Sequence, residues 1–144
     1  MKNANEASGA YPSAGVYQPG KALPALAQRY FKVAIVFLLV GLVVGLHMSM
    51  TNNHGATAAH AHINLVGWVT SALFGTYYAL HPAKAATKLA AIQFAVYVLG
   101  CVVMCPMLYF LVTGNPEVEP AVAGGSLLVF LGVALFAAVV FQND

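Results

Sequence analysis

At 144 residues the chain has room for one ordinary domain. Hydrophobic residues make up 60% of it and charged residues 7%, with a mean hydropathy of +0.78, which excludes a soluble globular class. The net charge of +2 comes from scattered residues and builds no basic surface for nucleic acid.

Residues 1–28 are polar and rich in Pro, Gly, Ala and Ser, without the apolar core and cleavage site of a signal peptide. They read as a flexible tail ahead of a transmembrane domain over 29–144. Four apolar segments follow, at 31–50, 60–80, 89–112 and 121–141. Each approaches the ~20 residues of a spanning helix, and a helix satisfies its own backbone in lipid. The expected fold is therefore an all-α membrane protein of four transmembrane helices.

The first segment holds a G-x-x-x-G step, Gly41 and Gly45, which reads as a packing surface. It ends in Leu46-His47-Met48-Ser49-Met50, and the loop beyond carries Asn52, Asn53 and His54. Imidazole and thioether suit copper, so His47 and His54 are candidates for a second metal site, against the plainer reading of two solvated histidines at a helix end.

The second segment opens on Ala59-His60-Ala61-His62. On a helix, residues two apart leave opposite sides, about 200° apart, so His60 and His62 face two different sites rather than gripping one metal. Below them a small and polar stripe, His60, Asn64, Gly67, Ser71 and Gly75, lets a neighbouring helix or a flat macrocycle come close to the backbone. The stripe below His62, with Val66, Val69 and Leu73, is apolar. Helix packing with two interfacial histidines is the competing explanation.

The third segment carries Gln93, Tyr97, Cys101 and Cys105 at four-residue steps, with Met104 and Met107 beside them and Pro106 expected to bend the helix. Thiols and thioethers can hold a soft metal, but buried Cys more commonly acts as a small hydrophobe. On the fourth segment Gly124, Gly125 and Gly132 read as packing positions. No phosphate loop, nucleophile elbow or catalytic carboxylate pair is present, and the acids Glu6, Glu117, Glu119 and Asp144 all lie outside the segments.

All six cationic residues, Lys2, Lys21, Arg29, Lys32, Lys84 and Lys88, fall in the tail, at the start of the first segment or around the second connection. The positive-inside rule then places both termini in the cytoplasm of a bacterial inner-membrane protein. His47, His54, His60 and His62 cluster at the periplasmic face, and His81 lies alone at the other.

From Ala59-His60-Ala61-His62 through Gly67, and on to the aromatic run Phe74 to Tyr78 and His81-Pro82, the sequence resembles the catalytic subunit of the haem-copper oxidases and nitric oxide reductases. The resemblance covers about 25 residues. It implies that His60 and His62 ligate haem on opposite sides of one helix. The copper-site histidine pair of that family is absent, and four helices stand against its twelve.

A homotrimer of this chain would imitate the family's three arcs of helices, with haem at the subunit interfaces. The expected function is thus a bis-histidine b-type haem protein of electron transfer, with Asn64 and Gly67 lining the cofactor and Asn52 and Asn53 donating to its propionates. No Cys-x-x-Cys-His occurs for covalent attachment. Two other readings stay open: a copper-handling membrane protein using His47, Met48, Met50 and His54, and a cofactor-free accessory subunit of a larger oxidase. Whether the chain is an enzyme, and what its redox partner is, the sequence leaves open.

Overall fold

Pro24 sets the first boundary: its ring suits a helix start, and its carbonyl accepts the Gln28 N–H at 3.1 Å. The computed structural model describes residues 22–142, and helix α1 runs Ala25–Thr51. The helix therefore begins four residues before the expected domain start at 29. The tail expected over 1–28 otherwise falls mostly in 1–21, outside the described residues. Asn52 closes α1 in the left-handed conformation, φ 52°, one of the few side chains that tolerates it.

Residues 57–80 form one unbroken helical run of three parts. These are α2, Thr57–His62, a π-helical segment, Ile63–Thr70, and α3, Ser71–Leu80. Pro82 ends the run and opens the short α4, Pro82–Ala85. Thr87 then caps α5, Lys88–Val112, by accepting the Ala90 N–H at 3.2 Å. Helix α5 passes through Pro106 without a break. A 3₁₀ turn, Pro116–Val118, leads into α6, Glu119–Phe141. No strand occurs among the described residues.

Three helices, Ala25–Thr51, Lys88–Val112 and Pro116–Phe141, are long and apolar enough to cross a membrane. Their outward faces are apolar: Leu39, Val43, Leu99, Leu127 and Phe130 are all exposed. Apolar surface of this kind belongs against lipid.

The helices alternate in direction. Gly41 lies against Asn64, Gly45 against His60, Gly67 against Phe37 and Gly75 against Tyr30, an antiparallel pairing of α1 with the 57–80 run. Tyr78 meets Gln93, and Tyr97 meets Val66, which sets α5 antiparallel to that run. Helices α5 and α6 pack closest of all. A Cβ on Gly100 would come 2.6 Å from the Val129 nitrogen, and one on Gly125 2.7 Å from the Met104 nitrogen. Small residues are what let backbones approach this far in lipid.

Alternation gathers Arg29, Lys32, Lys84 and Lys88 at one end, with the C-terminus of α6. Lys84 Nζ donates to the carbonyls of Val140 and Gln142 at 3.3 and 2.9 Å, where the α6 dipole is negative. His47, His54, His60, His62, Glu117 and Glu119 gather at the other. The core is polar at its centre. Gln93, fully buried, accepts from Tyr30 and Tyr78 through Oε1 at 2.6 and 3.1 Å and donates to the Gly132 carbonyl at 3.2 Å.

Candidate functional site

The two histidines of α2 point apart. His62 is exposed, and its Nδ1 lies 2.8 Å from the Ala58 carbonyl one turn earlier. A carbonyl only accepts, so Nδ1 carries the hydrogen, and the lone pair of the neutral ring sits on Nε2. His62 shares its face with Leu65 and Leu73, both exposed.

His60 is half-buried and turned toward α1. A Cβ on Gly45 would stand 2.9 Å from His60 Cε1, so only glycine leaves room for the ring. Asn64 holds it from below. Its Nδ2 donates to the His60 backbone carbonyl at 2.9 Å and lies 3.4 Å from both ring nitrogens. On its other side the Asn64 carboxamide covers Gly41, where a Cβ would meet Oδ1 at 2.6 Å.

The small stripe therefore receives a helix along its length. Phe37 lies over Gly67, with its Cδ1 2.4 Å from where a Cβ would be, and Tyr30 covers Gly75. Asn64 and Gly67, expected to line a cofactor, are occupied by α1 in the protomer. Ser71, on the same stripe, is fully buried, and its hydroxyl is the one buried side-chain polar atom among the described residues without a hydrogen-bond partner.

Just below the histidines the helix widens into its π segment. Two of its carbonyls accept side-chain hydroxyls: Thr70 Oγ1 donates to Leu65 O at 2.8 Å, and Tyr97 Oη donates to Val66 O at 2.7 Å. Sequence reasoning placed Tyr97 on a stripe of α5 but gave it no task. The signal was the stripe itself, Gln93 and Tyr97 one turn apart, both reaching across to other helices.

The remaining candidates sit at the end of α1, in the loop that follows and on α5. His47 and His54 are exposed, and their backbone carbonyls accept from Thr51 and Thr57 hydroxyls at 2.8 and 2.6 Å. Met48 is buried while Met50 is 85% exposed, so the two thioethers face different surroundings. Asn53 Oδ1 accepts the Gly55 N–H at 3.0 Å, which closes the loop's turn, and Asn52 caps α1. Cys101 and Cys105 are buried free thiols on α5. No three His, Cys, Asp or Glu side chains come together among the described residues. At the other end His81 repeats the His62 arrangement: Nδ1 donates to Tyr77 O at 2.9 Å while the ring stacks on Tyr77 at 4.2 Å.

The donor set suits haem iron in kind: two imidazoles, one with its tautomer fixed. It suits a seat near the helix end rather than on the stripe, whose hollow at Gly67 is filled by Phe37. No family model matches the chain, and neither does any curated protein or solved structure.

Proposed function

We propose that this chain is a four-span membrane protein that binds b-type haem through His60 and His62 and carries electrons, as a homotrimer with haem between copies. The observation that carries the reading is His62. It is exposed at the end of a membrane helix, with Nδ1–H engaged and the Nε2 lone pair available. Metal-binding imidazoles are held in this way, by a backbone carbonyl on the far nitrogen.

His60 leaves the same helix on the other side, against Gly45 of its own protomer. One chain therefore does not offer both rings to one iron, whereas two copies do. Threefold closure through a heterologous contact repeats this pairing at every interface. Asn64 and Gly45 fix the His60 ring, and Gly67 with Phe37 holds α1 against the run behind it. Asn52 and Asn53, in the loop at this end, are the candidate partners for carboxylates of the cofactor. With both imidazoles as ligands, the bound group would supply one-electron exchange rather than oxygen chemistry.

Residues 57–80 complete an even number of spans, which puts both termini on one side. The cationic end belongs in the cytoplasm and the histidine end at the periplasmic face of a bacterial inner membrane.

The visible spectrum of the purified protein tests this, together with an iron and copper count. Wild type is expected to show the sharp Soret and α bands of six-coordinate low-spin haem. His60→Ala and His62→Ala should each abolish that state. Co-expression of the two variants should restore part of it, since one interface then combines an intact His60 with an intact His62. A protein without haem overturns the reading, and stoichiometric copper in a colourless protein replaces it with the copper-handling one. Loss of the six-coordinate state in His47→Ala, with no rescue by mixing, would put the haem inside one protomer.

A further inference from the structure

An apolar groove of about 580 Å³ opens on the surface between α1 and α5. Val36, Val40 and Val44 form one wall at four-residue steps, and Val98, Val102 and Tyr109 form the other. Lys32, one turn before Val36, is the single charged residue lining it. Arg29 is exposed three residues earlier on the same face of α1. Both walls span twelve residue steps, 32–44 on α1 and 98–110 on α5, which at 1.5 Å per step is about 18 Å. The hydrocarbon depth of one leaflet is about half of 30 Å.

We propose that this groove holds an acyl chain of an anionic phospholipid, with the lipid phosphate on Lys32 and Arg29. The match is one of length and of charge: an apolar channel one leaflet deep, with cations at one end only. Lysine at this depth reaches its ammonium toward the headgroups while its stem stays on apolar surface. A neutral isoprenoid lipid would fill the channel equally well but would leave the cations without a counter-charge. The proposal rests on membrane insertion and is independent of any haem.

The test is to extract the full chain in mild detergent and to quantify retained lipid by mass spectrometry. Wild type is expected to keep stoichiometric anionic phospholipid. Lys32→Gln, at an exposed position, should lower the retained amount several-fold. Val40→Trp, which fills the groove midway, should do the same with Lys32 intact. Lys88→Gln, a cation outside the groove, should leave retention unchanged. Far-UV circular dichroism shows whether each variant remains helical. If Val40→Trp unfolds, Lys32→Gln alone decides. Wild-type retention in Lys32→Gln, or a neutral isoprenoid lipid as the retained species, overturns the proposal.

Discussion

At the scale of single residues, the side chains that matter most are those sealing backbone groups away from lipid. Tyr97 donates to Val66 O in the π segment. Tyr97→Phe removes that hydrogen bond, which is worth about 0.5–1.5 kcal/mol. Gln93→Leu goes further, since two tyrosine hydroxyls and the Gly132 carbonyl lose their partner together. Thermal unfolding in detergent should rank the variants in that order below wild type. An inverted order would mean that the Tyr30 and Tyr78 hydroxyls find other acceptors. Little of this was legible beforehand. Gln93 and Tyr97 stood out as a polar stripe, but what they bond is set by helices distant in sequence. By contrast, the opposite bearings of His60 and His62 follow from helical geometry alone and hold in the structure.

At the scale of elements, the helices were legible to within a few residues, because hydropathy in a membrane chain marks length directly. The expected segments 31–50, 60–80, 89–112 and 121–141 correspond to helical stretches that extend them by up to six residues at the start. The π segment was not legible. No local propensity records it, and the segment shows only in the structure. The glycines of α6 give a sharp test of the packing. A Cβ at Gly125 would come 2.7 Å from the Met104 backbone nitrogen, and main chain cannot step aside. A Cβ at the adjacent Gly124 would meet nothing within 4 Å. Gly125→Ala is therefore expected to destabilise by about 1–3 kcal/mol, as overpacking does, and Gly124→Ala to be nearly neutral or slightly stabilising. Equal effects at the two positions would mean that α6 is rotated from the face described.

At the scale of the whole molecule, charge and direction agree. Lys84 binds the last carbonyls of α6, which ties the 81–87 connection to the C-terminal end of the chain. Tyr30 stacks on Tyr78 at 5.9 Å, which brings the start of α1 to the same end. Reporter fusions after Asp144 and within 113–120 should therefore report opposite sides of the membrane, with the C-terminus cytoplasmic. The same side at both positions would leave α6 outside the bilayer. The three helices long and apolar enough to cross a membrane contain no π-helical turn, whereas the 57–80 run contains the π segment.

That segment makes the 57–80 run behave as a geared shaft. Its wide turns set a phase offset between α2 above and α3 below, so the azimuth of the two imidazoles depends on how many residues the wide part contains. Removing one residue from Ile63–Thr70 would let the run relax to a plain α-helix while α3 stays keyed to α1 through Gly75 and Tyr30. A wide turn advances each residue by less than the roughly 100° of an α-helix, so the tighter winding makes up most of the angle of the lost residue and both rings keep their bearing. A second deletion finds no wide turn left to absorb it and would swing both rings by about 100°, His60 away from Gly45 and His62 from its outward bearing, without altering either ring.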